Sequence, residues 1–233
     1  MNTFNFKGID CSKYKILLEK MPSRPTSAKR VVYLDIPGRD GHLIYDDGSL
    51  LPTPILVECS IMDVTQSDLR KIKQWLSGSG NLIFNDEPNV YWRARLDLQL
   101  DFVKPLKLLH EFILTFDCFP YAFLKIGDKP LVFNPTATLW EAILMNDYNV
   151  SLPHIKIFAQ GDVGLLINGI ETDFYSIDHL IEVDSELQQC YKGTQNLGMN
   201  MSGDFPILNE GRNVIQFTGN IQQVQIIPHW RLR

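Results

Sequence analysis

The chain lacks the residue clusters that most often mark chemistry. Its four cysteines, Cys11, Cys59, Cys118 and Cys190, lie far apart and form no CxxC, so a structural zinc site has no support. Cys59 and Cys118 sit in apolar, strand-like runs and read as small core residues. The five histidines, His42, His110, His154, His179 and His229, include no HxH or HExxH spacing that would bring two onto one side of an element. No G-x-S-x-G is present for a nucleophile elbow. Ser77-Gly78-Ser79-Gly80 follows a helical pattern instead of preceding one, so it reads as a helix stop and flexible link, not a phosphate cradle. The carboxylate pairs Asp46-Asp47 and Asp86-Glu87 are adjacent in turn-forming sequence, with Asp46-Asp47-Gly48 read as a hairpin turn. Glycoside chemistry needs two carboxylates held apart across a bond. These absences predict a non-enzyme with no catalytic residue, no cofactor and no metal.

Positive charge is also scarce. Net charge is −5, and the densest basic stretches are the pairs Lys29-Arg30 and Arg231/Arg233. Phosphate binding needs clustered Lys and Arg, so a nucleic-acid partner is not expected. No run approaches the roughly 20 apolar residues of a membrane helix, and Met1-Asn2-Thr3-Phe4-Asn5-Phe6 lacks the basic-then-apolar form of a secretory leader. The expectation is a chain folded in the cytoplasm, without membrane insertion and without an expected disulfide.

What is present is apolar bulk arranged with a period of two. Hydrophobic residues make up 45% of the chain, with 13 Phe, 8 Tyr and 4 Trp, enough for two modest cores. From Val90 to Phe102, Trp92, Ala94, Leu96, Leu98, Leu100 and Phe102 share one face. Arg93, Arg95, Asp97, Gln99 and Asp101 share the other, as in a long strand packed on one side. Asn81–Phe84 reaches it through the turn-rich 85–89, making a hairpin, and Glu111–Phe119 forms a further strand ending at Pro120. A single helix is predicted over residues 66–77. Thr65 caps it, Asp68 sits in its first turn, and Leu69, Ile72, Trp75 and Leu76 recur at helical spacing.

The pattern changes near 130–135, which places a domain boundary between residues 1–132 and 133–233. Ala137–Leu144 fits either a short helix or an edge strand. Beyond it come short strands at Ile155–Ala159, Leu165–Ile167, Leu180–Asp184, Gln188–Lys192, Val214–Thr218 and Val224–Ile227. Asn168-Gly169 is the strongest short hairpin signal among them. Such a series suggests an antiparallel sandwich.

Two features carry candidate interactions. In Ile36-Pro37-Gly38-Arg39-Asp40-Gly41, proline fixes one φ while Gly38 and Gly41 permit conformations closed to other residues. Arg39 and Asp40 then form either a local ion pair or an oppositely charged pair presented to a neighbouring subunit. Trp140 with Glu141 is the other feature. It is either an aromatic that closes the domain interface or a ring for stacking a sugar, the latter implying a host-surface carbohydrate-binding module.

The order of motifs adds a resemblance. Phe4-Asn5-Phe6 with Gly8 comes first, followed by Pro37-Gly38-Arg39-Asp40-Gly41 and a helix ending in Trp75-Leu76-Ser77-Gly78. Leu82-Ile83-Phe84-Asn85-Asp86-Glu87-Pro88, Tyr91-Trp92 and Phe116-Asp117-Cys118-Phe119-Pro120-Tyr121 come next. The second half offers Gly161-Asp162, Ile167-Asn168-Gly169, Gly203-Asp204-Phe205-Pro206, Gly211-Arg212-Asn213 and Pro228-His229-Trp230-Arg231. Over nearly its whole length the chain thus resembles the distal tail proteins of long, flexible-tailed bacteriophages and related prophages. The resemblance implies a mainly β fold with one helix in the first half. It pairs an N-terminal β-sandwich, flanked by the helix and a hairpin, with a C-terminal galectin-like β-sandwich. It implies a homo-hexameric ring made by the first domains, with Gly38, Arg39, Asp40 and Gly41 as interface candidates. The ring would be a virion hub joining the tail tube protein to tail-tip or baseplate proteins. Galectin-type sugar binding is not implied, because Asn134-Pro135 and Trp140-Glu141 lack the flanking residues of that motif.

Overall fold

In the computed structural model, which describes residues 2–97 and 110–233, the chain divides into two compact units. Residues 1–122 with Arg233 form the first and 123–232 the second.

The first unit contains β1 (Phe4–Phe6), β2 (Ile9–Asp10), β3 (Ile16–Leu18), β4 (Lys29–Asp35), β5 (His42–Leu50) and β6 (Thr53–Ile61). Helix α1 (Gln66–Trp75) follows, then β7 (Ser77–Phe84), β8 (Val90–Asp97) and β9 (His110–Leu124). One sheet takes the order β2-β1-β7-β8-β9-β6-β3, while among the described residues β4 and β5 pair only with each other. In a flat sheet β1 and β9, three positions apart, would lie about 14 Å from each other. Yet Phe4 and Phe6 of β1 meet Phe116 of β9 edge-on, with centroids 5.7 and 5.2 Å apart. The sheet is therefore curled, and its inner face is closed by rings.

Helix α1 seals that core. Thr65 Oγ1 accepts the Asp68 N–H, and Leu69, Ile72 and Trp75 are buried along one stripe. Trp75 stacks on Phe4 at 5.9 Å and donates its Nε1–H to Phe6 O at 2.8 Å. The helix ends two residues earlier than its periodicity suggests. Ser77-Gly78-Ser79-Gly80 is not a flexible link: these residues pair with Asp97, Leu96, Arg95 and Ala94 as the first half of β7. Gly78, at φ +77°, makes the abrupt exit from the helix possible.

On β8 the predicted alternation holds as far as the structure describes it, with Trp92, Ala94 and Leu96 buried. The continuation through Leu98, Leu100 and Phe102 lies outside the described residues. Pro120 does not end the next strand, since β9 runs through it to Leu124. Asp86 and Glu87, in the turn between β7 and β8, hold Arg24. Its guanidinium donates to both Asp86 carboxylate oxygens at 2.6 and 2.7 Å and lies 3.2 Å from Glu87. It also covers the rings of Phe84 and Trp92 at 5.0 and 5.2 Å.

The second unit is built on two long antiparallel strands, β12 (His154–Ile167) and β18 (Gly211–Ile227). The others include β10 (Leu131–Phe133), β11 (Leu139–Asn146), β13 (Ile170–Asp178), β14 (Ile181–Asp184), β15 (Gln189–Lys192), β16 (Gln195–Asn196) and β17 (Met201–Gly203). The two strands predicted from each of β12 and β18 are one strand apiece. Between them Gln160-Gly161-Asp162, turn-forming by residue type, is an irregularity within β12, where the register passes from Ala159↔Ile221 to Val163↔Gly219. Gly219 is required there: at φ +124° a Cβ would stand 2.6 Å from Asp162 O.

Past this break the long pair serves two groups of strands. β10, β14, β15 and β16 flank one end, while β11, β13 and β17 flank the other. The enclosed core includes Ile155, Ile157, Leu165, Phe174, Ile215, Phe217, Val224 and Ile226. The hairpin at Asn168-Gly169 has the predicted positive φ values of 51° and 84°. The stretch left between helix and strand is a strand, β11, paired with β18 over its whole length.

Replacing Arg24 by alanine should lower the stability of the first unit by about 1–2 kcal/mol in urea unfolding, because the ion pairs to Asp86 and Glu87 and two ring contacts go together. Arg24→Lys should restore only part of it, since a single ammonium cannot serve Asp86 and Glu87 from two separate nitrogens or lie flat on the rings.

Candidate assembly surface

The segment with the most unsatisfied surface is the β4–β5 hairpin. Val32 pairs with Tyr45 and Leu34 with Leu43, directing four apolar side chains to one face. Tyr33 pairs with Ile44 on the opposite face. Tyr33, Ile44 and Tyr45 are 62%, 61% and 59% exposed, so neither face meets a core. Its root is firmly held. Ser27 is buried, with Oγ 2.5 Å from Thr53 Oγ1 and donating to Pro120 O at 2.8 Å. Leu51 N–H donates to Ala28 O at 2.8 Å, and Lys29 meets Asp46 at 2.8 Å.

The Pro-Gly segment is the tip of this hairpin. Arg39 N–H donates to Ile36 O at 3.1 Å, and Gly38 stands at φ +82° behind Pro37, the pattern of a type II turn. Gly41, at φ +75°, brings the chain into β5 beside His42, whose Nδ1 contacts Asp35. Arg39 and Asp40 are exposed and, among the described residues, make no ion pair with each other.

Asp46-Asp47-Gly48 is therefore not the hairpin turn. It is a bulge within β5, where pairing shifts from Val31↔Asp46 to Lys29↔Leu50. Asp46 and Asp47 accept the Gly48 and Ser49 N–H groups. Sequence reading did not predict β4 or β5. The available signal was Val31-Val32-Tyr33-Leu34 and Leu43-Ile44-Tyr45 on either side of the Pro-Gly turn.

Trp140 lies within the second unit. Its ring stacks on Phe217 at 5.9 Å and meets Phe133 at 5.5 Å, packing against the unit's core. The four cysteines are free and buried. Burial pushes the Cys11 and Cys190 thiols up to about 11 and the Cys118 thiol to about 12, so they stay protonated and serve as packing atoms.

A polar network crosses β12, β14 and β15. Glu182, 8% exposed, lies 2.8 Å from Lys156 Nζ and 3.2 Å from His154 Nε2. The Tyr191 hydroxyl stands 3.3 Å from the same His154 nitrogen. Desolvation holds the His154 pKa below its ordinary value, against the opposing pull of Asp184 and Glu182.

The unfolded chain therefore takes up this proton more readily than the folded one. The contribution is fully present above about pH 6.5 and is lost as pH falls through the lower folded value. Histidine NMR titration should place His154 below the ordinary imidazole range. His154→Gln should flatten the acid limb of the second unit's stability curve.

Comparison with known proteins fits this architecture. Residues 9–118 match the family described as the phage tail protein RIFT-related domain. No curated protein matches the chain. Among solved structures, the Dit protein (gp 19.1) of phage SPP1 is similar, with a TM-score of 0.69 at 18% identity over 97% of this chain and 98% of that one. That protein is described as a paradigm of the hub adsorption apparatus in phages infecting Gram-positive bacteria. The chain thus carries a phage tail domain over residues 9–118 and shares the fold of the Dit protein along nearly its whole length.

Proposed function

We propose that the chain is a ring-forming structural subunit of a phage tail tip, a hub that joins the tail tube to tail-tip and host-adsorption proteins. The first domain builds a homo-hexameric ring, and the second is a galectin-like domain. The observation that carries this reading is the β4–β5 hairpin, with apolar side chains on both faces and a rigid root. A two-stranded ribbon is at best marginally stable alone in water, and contiguous exposed apolar surface marks an interaction site. A closed ring needs one patch to meet a different patch on the next copy, which suits a projecting arm. Gly38 and Gly41 shape its tip, and Arg39 and Asp40 are set there to reach the neighbouring copy. The likeness to the SPP1 hub protein supports the same role. With Trp140 packed on Phe133 and Phe217, no observation favours the saccharide reading.

The double substitution Tyr33→Lys/Ile44→Lys should leave monomer melting nearly unchanged, because both side chains are exposed in the monomer. It should weaken assembly at least a hundredfold, from about 3 kcal/mol or more of lost apolar burial. Light scattering and negative-stain imaging read this directly: a wild-type protein that stays monomeric at high concentration and also within tail tips would contradict the proposal. Arg39→Ala should cost roughly 2–5 kcal/mol of association while sparing monomer stability. An equal loss in both would show that the turn braces only its own domain.

A further inference from the structure

The second unit carries a feature that ring formation by the first does not use. Among the described residues, strand β11 lies at the margin of its sheet, paired with β18 alone. The pairing is regular from Leu139↔Thr218 to Asn146↔Gly211, with no bulge. Its other edge therefore presents a row of unpaired backbone donors and acceptors. Proteins normally protect such an edge with charges, proline, bulges or extreme shortness. Here the strand is eight residues long, Leu139-Trp140-Glu141-Ala142-Ile143-Leu144-Met145-Asn146, with one charge and neither proline nor glycine. On its outward face Leu139, Ile143 and Met145 are 67%, 54% and 55% exposed.

Both ends of this edge are fixed. At one, Gly219 N–H donates to Thr138 O at 3.0 Å. At the other, fully buried Asn146 donates its Nδ2–H groups to the carbonyls of Asn149, Asn209 and Leu208. The strand is thus held ready for pairing, and a partner bears little of the ordering cost.

We propose that β11 is a strand-addition site, where an extended segment of a different tail protein continues the sheet. The choice of a different chain rests on the cyclic ring proposed above. Two β11 strands could pair only about a two-fold axis, which a simple cyclic ring lacks. Head-to-tail pairing with a neighbouring copy would have to use another margin of the second unit, since the β4–β5 hairpin of the first is already engaged in the proposed ring contact. Those margins end in β10, β16 and β17, of three, two and three residues, and none covers an edge of eight. The incoming strand has apolar residues at alternate positions, beside Leu139, Ile143 and Met145. It carries a basic or amide side chain beside Glu141, whose carboxylate already accepts from Gln216 at 2.8 Å.

The test uses complete tail particles in which a benzophenone amino acid replaces Ile143, an exposed position that leaves the core untouched. Irradiation should give a covalent adduct with a different tail protein, mapped to a peptide of alternating apolar pattern. Hydrogen exchange over residues 139–146 should be at least tenfold slower in the particle than in the isolated ring. Leu139→Lys should leave melting and ring formation intact while reducing the adduct at Ile143 at least tenfold. An adduct with only another copy of this chain, or unchanged exchange across 139–146, would overturn the proposal. Imaging keeps the two readings apart. A ring with an unprotected β11 sinks only this inference, whereas the absence of any ring sinks the hub assignment.

Discussion

A ribbon of two strands with apolar side chains on both faces has no place to put them within its own unit. Among the described residues β4 and β5 pair with each other and with no other strand, yet Val32, Tyr33, Leu34, Leu43, Ile44 and Tyr45 line both faces. At roughly 25 cal/mol per Å² of apolar surface, leaving such a ribbon in water forgoes several kcal/mol. Much of the first unit makes sense as the mount for this arm. Ser27 ties its base to β6 and β9, and Arg24, three residues earlier, is locked to the β7–β8 turn. The curled sheet behind them is filled by Phe4, Phe6, Trp75 and Phe116, a set of large rings that resists deformation. A projecting arm transmits position only if its root does not yield.

The second unit solves a different problem. Two long strands each pass through an irregularity near Gly161 and Gly219 and so serve strands at both ends. The sandwich is thereby joined by continuous backbone as well as by side-chain packing. One margin is finished by short strands, whereas β11 is left long and open. The two units thus contribute unlike surfaces, an apolar arm in the first and a backbone edge in the second. The proposed hub, binding its own copies and other proteins, would need surfaces of different kinds, so that the contacts do not compete.

Much of the fold was legible because period and capping are local. The stripe of Leu69, Ile72 and Trp75 marked the helix, and the Trp92, Ala94, Leu96 alternation marked β8. Asn168-Gly169 marked a hairpin whose φ values follow directly from residue type. The misreadings have a common cause. Gly78, Asp46-Asp47-Gly48, Pro120 and Gly161 all carry turn chemistry, but a bulge or an edge uses the same residues inside a continuous strand. Local sequence cannot say whether pairing resumes beyond the irregularity, because that depends on a partner strand tens of residues away.

The assembly surface was only half visible for a related reason. Pro37-Gly38-Arg39-Asp40-Gly41 stood out by its backbone constraints, but the strands flanking it were not predicted. Only the three-dimensional structure shows that they leave the core. The most direct measurement is a cryo-electron microscopy reconstruction of the assembled tail tip. The account predicts a closed ring in which every β4–β5 hairpin is buried against the adjacent copy. Hairpins that point into solvent, with the ring closed by other surfaces, would contradict it.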